Sequence, residues 1–304
     1  MIRVGFVSAI LADRSFAEVM AFAGEAGYAC VEIMCWPSGK AERRYAGVTH
    51  IDVTALKKVN IEEIHRVVEQ TGVRISGLGY YPNPLTADRE QSRHFIAHLK
   101  KVIDGADKLG LQHVNTFIGR DHRTSVEANF KRFRKIWPPI IRHAEKRGVT
   151  IGIENCPMYF SEDEWPGGKN LATTPALWRR MFEEIPSPSF GLNYDPSHMI
   201  WQFMDTIKPI YEFRERIVHV HIKDARIRYD LLNEVGIMAP PLQFHQPKLP
   251  GLGDVDWGAF FAALTDIGYR GSACVEIEDR AYEGTLKDRK RALSQSLGYV
   301  RQFV

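Results

Sequence analysis

The chain has 304 residues, 44% of them hydrophobic, enough for a large core arranged as two small domains or one α/β barrel. Its net charge of +3, spread without a long basic run, leaves no nucleic-acid footprint. No apolar stretch is long enough to cross a bilayer, VGFVSAI is too short for a signal peptide, and the four cysteines form no CxxC pair, so a reduced, cytoplasmic protein is expected, with neither a zinc ribbon nor a disulfide framework.

Strand-like runs alternate with amphipathic ones from end to end. RVGFVSA (3–9) is followed by a helical pattern over 15–27, ACVEIMC (29–35) by one over 60–72, and RISGLGY (74–80) by one over 92–110. HVNTFIG (113–119) leads into a pattern over 130–148, in which Pro138 and Pro139 predict a kink or a restart because neither can donate a helical hydrogen bond. TIGIENC (150–156), SFGLNYD (189–195), IVHVHIKD (217–224) and SACVEIED (272–279) precede patterns over 174–185, 205–217, 255–268 and 288–304. The segment DLLNEVGIMAPPLQFHQPKLPG (230–251) reads as a long loop. Strand–helix units of this kind favour parallel pairing, and eight of them close into a (β/α)8 TIM barrel, expected as one domain over 1–304. An open doubly wound sheet would usually carry a glycine-rich turn after its first strand, and SAILADRS has none.

In a barrel of this type the C-terminal strand ends form the catalytic mouth. Polar residues stand there where a core would take Val or Ile: Glu154, Asp195, His221, and Glu276 with Glu278. Left together, such acids would repel one another and resist burial. One divalent cation removes both costs, and carboxylates with one imidazole suit Mn²⁺, Mg²⁺, Co²⁺ or Zn²⁺. His219 and His221 share a strand face. His221 lies nearer the mouth and is the expected ligand, with His219 a deeper hydrogen-bonding partner. Glu276 is preferred to Glu278 as the ligand from the eighth strand. NYDPSH by itself needs only an Asp-Pro turn that caps the next helix.

The stretches IGIENCPM, NYDPSH, VHVHIKD and PGLGDVDWGAFFAALTDIGYRGSACVEIED resemble the xylose isomerase-like TIM barrels, in particular the sugar phosphate isomerase/epimerase superfamily with its tagatose 3-epimerase-like, inosose dehydratase-like and inosose isomerase-like members. The resemblance spans essentially the whole chain. It implies one metal, Mn²⁺ first, held by Glu154, Asp195, His221 and Glu276, with Glu154 and Glu276 also exchanging protons with substrate carbon. It implies that His198 contacts a sugar. One departure is Ile227, where the epimerases carry an arginine six residues after the metal histidine. It points toward a subgroup with lyase-like members that act on 3-oxo-glycosides.

The expected chemistry is proton abstraction beside a carbonyl, giving an enediolate that is reprotonated in an isomerase or epimerase. Expulsion of a β-substituent instead makes a lyase acting on a 3-oxo-glycoside, or a dehydratase acting on a keto-inositol. Lys223, Asn115 and Tyr81 are expected to orient a sugar or keto-sugar, and His245 to protonate a leaving group. Tyr80, Asn83, Trp36, Trp165 and Trp201 are further candidates for lining a carbohydrate pocket. A metal-dependent endonuclease ranks lower, because Glu32 is the only acid in the second strand and YYPN supplies no histidine. Neither a nucleic acid nor a membrane is an expected partner. A homo-oligomer, or a complex with a small partner subunit, is compatible with this reading.

Overall fold

The computed structural model describes residues 1–37, 39, 45–159 and 168–304; Trp165 lies outside them. The first seven strands are β1 (Arg3–Val7), β2 (Cys30–Met34), β3 (Arg74–Gly79), β4 (His113–Thr116), β5 (Thr150–Glu154), β6 (Phe190–Tyr194) and β7 (Ile217–Ile222). A short antiparallel pair, β8 (Asp224–Ile227) and β9 (His245–Lys248), comes next, and β10 (Ser272–Val275) completes the ring. The closed barrel runs β1-β10-β7-β6-β5-β4-β3-β2 with every pair parallel, the eight-stranded TIM barrel expected from the alternating pattern.

The outer layer contains α1 (Phe16–Ala26), α2 (Lys58–Thr71), α3 (Arg89–Lys108), α4 (Val126–Glu145) and α5 (Pro175–Glu184). After β6 come α6 (Ser197–Ile200) and α7 (Lys208–Glu212), then α8 (Tyr229–Val235), α9 (Trp257–Asp266) and α10 (Leu286–Val300). Local chemistry sets their ends. At α1 the Ser15 hydroxyl accepts from the Glu18 amide while Glu18 accepts from the Ser15 amide, and Gly27 closes the helix at φ 86°, a conformation glycine adopts without a Cβ clash. The core between helices and barrel is mainly aliphatic with aromatic clusters set into it: Trp137 of α4 stacks on Phe190 of β6 at 6.1 Å.

Three expectations are corrected. Helix α4 continues through Pro138 and Pro139 without the restart that was one of the two expectations there. Phe130, Phe133, Trp137, Ile140, Ile141 and Ala144 are buried along one stripe, and at about 1.5–3 kcal/mol per large side chain their packing exceeds the lost hydrogen bonds. The helix expected over 205–217 shrinks to α7: Asp205 Oδ1 accepts from the Ile207 and Lys208 amides, and the chain must turn after Phe213 to enter β7. The expected loop over 230–251 is instead part of an excursion built on the β8–β9 hairpin, with α8 near its tip. Ala225 and Ile227 of β8 pack with Trp201, a contact with a distant segment that no local pattern announces.

Inside the barrel, polar side chains replace part of the usual aliphatic filling. Glu32, Ser76, Asn115, Asn193, His219 and His221 are all buried, stacked beneath the C-terminal mouth.

Candidate active site

Glu154 is the last residue of β5, Asp195 follows β6 directly, and His221 lies in β7. The eighth barrel strand ends at Val275, short of the expected 279, yet the Glu276 amide still donates to Ile222 O at 3.1 Å, which keeps that side chain at the mouth. One ligand atom each from Glu154, Asp195, His221 and Glu276 lies within 4.8 Å of the other three. The Asp-Pro turn serves two ends: Asp195 Oδ1 accepts from the Ser197 amide at 2.8 Å, which leaves Oδ2 turned into the cluster. Asn155 locks the neighbouring strand ends, donating to Asp195 O and accepting from the Asp195 amide, each at 2.8 Å.

Asp195 Oδ2 and His221 Nδ1 are buried and make no hydrogen bond of good geometry. Three carboxylates and one imidazole nitrogen drawn this close form a donor set that fits a divalent cation. Lys223, at the end of β7, also reaches in: its Nζ lies 2.6 Å from Glu276, 3.1 Å from Asp195, 3.2 Å from Glu278 and 3.8 Å from Glu154. Glu278 therefore meets the ammonium, while Glu276 also faces His221 Nδ1 at 3.6 Å.

The environment drives the carboxyls apart. Burial pushes Glu276 up to about 7, helped by Glu154 and Glu278 against Lys223 and His221. Burial opposes ionisation of Glu154 too, but His198, His221 and Lys223 outweigh it and hold that carboxyl well below its ordinary value. Asp195 is likewise held at about 2 against burial, by Lys223 and His198.

His198 Nε2 lies 3.2 Å from Asp195 Oδ2 and 3.4 Å from Glu154 Oε1, so it joins the cluster at its edge. Trp201 stands edge-on to it, and His245, presented by β9, stacks on Trp201 at 5.1 Å. His245 Nδ1–H donates to Pro241 O at 2.6 Å; burial pushes its pKa down to about 4, leaving a neutral ring with Nε2 as an acceptor.

Tyr81 and Asn115 are placed differently from the expectation. The Tyr81 hydroxyl donates to Glu32 Oε1 at 2.5 Å and the Asn115 amide to Glu32 Oε2 at 3.0 Å, so these polar groups turn beneath the mouth toward an acid. A hydroxyl so bonded is not free for sugar. Asn83 exchanges hydrogen bonds with the Arg120 backbone, and Trp36 packs edge-on against Tyr80. Glu32 itself was noted in the sequence only as the lone acid of the second strand, without a role in the site. Its one signal was an acid in the middle of a strand, ACVEIMC, where only a buried partner could justify it.

A family described as Xylose isomerase-like TIM barrel matches residues 20–303. The chain belongs to this family. Among curated relatives, the inosose dehydratase of Geobacillus thermodenitrificans (strain NG80-2) is 31% identical over 134 residues, covering 40% of this chain and 43% of that enzyme. The chain thus spans about half or less of the length of the curated relatives first matched. Among solved structures of the same fold, a D-psicose 3-epimerase in the presence of D-fructose superposes with a TM-score of 0.73 at 13% identity, covering 99% of both chains. The 3-keto-D-glucoside 4-epimerase YcjR from E. coli superposes with a TM-score of 0.71 at 17% identity, covering 99% of this chain and 100% of that one. No helix among the described residues is long and apolar enough to cross a membrane.

Proposed function

We propose that this protein is a divalent-metal-dependent keto-sugar isomerase or epimerase that moves a proton on a carbon next to a carbonyl. The observation that carries the reading is the convergence of Glu154, Asp195, His221 and Glu276 at the mouth, one ligand atom of each within 4.8 Å of the others. Glu154 and Glu276 stand in that one cluster, within reach of a shared substrate carbon, as a base and an acid sharing a site must. Glu154, Asp195, His221 and Glu276 would hold the ion, Mn²⁺ first, and a bound ion would draw electron density from the substrate carbonyl. Glu154, ionised on β5, takes the proton from the adjacent carbon; Glu276, beyond β10, returns one from the other side. Two barrel strands, β6 and β7, stand between them, so a ligand seated over His221 is flanked by both. His198 and Lys223 orient the substrate's oxygens. The substrate is a small sugar or keto-sugar, the setting cytoplasmic, and the unit one domain over 1–304.

A second reading is elimination from a 3-oxo-glycoside or dehydration of a keto-inositol, in which His245 would have to gain a proton at Nε2 before it could protonate a departing group. The inosose dehydratase relative and Ile227 point the same way. Both readings share the first proton abstraction. Protein purified without chelator should contain one divalent ion, and Asp195→Asn should lose it. In D₂O, metal-loaded protein should exchange the acidic carbon proton of a ketose, inosose or 3-oxo-glycoside; Glu154→Gln and Glu276→Gln should not. Exchange at the parent rate in both variants, with the ion still bound, would refute the proton-transfer pair.

A further inference from the structure

Glu32 has no part in the proton transfer described above, although it is fully buried in the barrel, where an unpaired carboxylate is costly. Its two oxygens are fully engaged. Oε1 accepts from Tyr81, and Oε2 accepts from Asn115 at 3.0 Å and meets His221 Nε2 at 2.8 Å.

The last contact decides the state of the histidine. A carboxylate oxygen only accepts, so His221 Nε2 must carry hydrogen. Asn193 Nδ2, 3.0 Å from the same nitrogen, is itself a donor and finds its acceptor in the Tyr81 oxygen at 3.2 Å. That amide is oriented from below: Asn193 Oδ1 meets His219 Nδ1 at 2.9 Å, and His219 Nε2 meets Ser76 Oγ at 3.2 Å. With Nε2 committed, the ring presents Nδ1 to the mouth, where it has no hydrogen-bond partner and lies 3.8 Å from Glu154 and 3.6 Å from Glu276.

We infer that Glu32 is a positioning residue that fixes the ring orientation and the protonated nitrogen of His221, so that a cation is captured through Nδ1. The inference rests on the reading of Glu154, Asp195, His221 and Glu276 as cation ligands. Tyr81 and Asn115 clamp the carboxylate, which accounts for their turning away from the mouth. Nδ1 would be the ring nitrogen that meets a cation held there, while Nε2–H goes on donating to Glu32. Outer partners of this kind fix the tautomer and raise ligand basicity.

Glu32→Gln tests the role, because glutamine keeps the shape but offers only one acceptor oxygen to three donors. Zn²⁺ titration by calorimetry should show affinity weakened about 10- to 100-fold. Heteronuclear NMR of the Zn²⁺-loaded parent should show His221 with a slowly exchanging Nε2 proton, and the variant should lose that protection. Glu32→Asp, which restores the charge at shorter reach, should recover part of the affinity. Thermal unfolding of each variant verifies that the barrel is intact. Zn²⁺ affinity within about twofold of the parent with the Nε2 proton retained would overturn the role of Glu32 alone. A parent that takes up no Zn²⁺ would overturn the ligand set and this role together.

Discussion

Lys223→Met should separate the two ways in which the cluster can be kept neutral. In the parent, a single buried ammonium lies within 2.6–3.8 Å of Glu276, Asp195, Glu278 and Glu154. Methionine fills much of the same volume but leaves those acids without that cation. Removing one partner from a buried ion pair costs about 3–5 kcal/mol, because the remaining charge is stranded. In the presence of a chelator, the variant should lose about that much stability. A divalent ion at about 1,000 times its dissociation constant adds about 4.1 kcal/mol to a protein that binds it only when folded. The ion should stabilise the variant more than the parent, since in the variant it need not share the carboxylates with the ammonium. Urea unfolding followed by tryptophan fluorescence, with chelator and with saturating Mn²⁺, gives both differences. The gap should narrow with Mn²⁺, while turnover stays low because the substrate has lost Lys223. Equal stability of the two proteins in chelator, or an identical Mn²⁺ increment in both, would refute the reasoning.

Asp224 is a buried carboxylate that accepts from the amides of Ala225, Gly251 and Val255 and from the Trp257 indole, at 2.9–3.1 Å. Asp224→Asn puts an amide nitrogen against two of those donors; at about 1.5–3 kcal/mol per charge-assisted bond it should cost about 3–6 kcal/mol in urea unfolding, and a loss below about 1 kcal/mol would contradict this account. Burial pushes His219 down to about 3. The unfolded chain therefore takes up a proton near pH 6.5 that the folded chain refuses, so this contribution is complete above pH 6.5 and is lost as pH falls toward 3, by up to about 1.4 kcal/mol per unit; His219→Gln should flatten that slope in stability measured against pH. Gly5→Ala would place a Cβ 2.5 Å from Cys30 O and within 2.6 and 2.9 Å of the Cys30 and Cys274 sulfurs; the overpacking should cost about 1–3 kcal/mol, read as a lower melting temperature.

The alternation of β-rich and amphipathic runs determined the barrel, because each unit's pattern is local: a strand of five residues and the helix after it carry their own periodicity and caps. The acids and the histidine at the strand ends were legible for the same reason, since position along a strand sets depth in a barrel and Glu154, Asp195, His221 and Glu276 all fall at one level. Tertiary structure alone decided what those residues face. Glu32 and His221 are 189 positions apart and meet across the barrel interior, so no spacing announces their bond. Tyr81 looked like a sugar contact until the fold placed its hydroxyl on Glu32. The two prolines of α4 are tolerated because a stripe of six buried side chains holds the helix down. The β8–β9 hairpin pairs DARI with HQPK, short polar runs whose intrinsic strand preference is weak, and packing of β8 against Trp201 supplies what the local sequence lacks. Local pattern sets which elements form and how deep each residue lies; which polar atom meets which follows from closing the ring, when residues far apart in the chain lose water together and must satisfy one another.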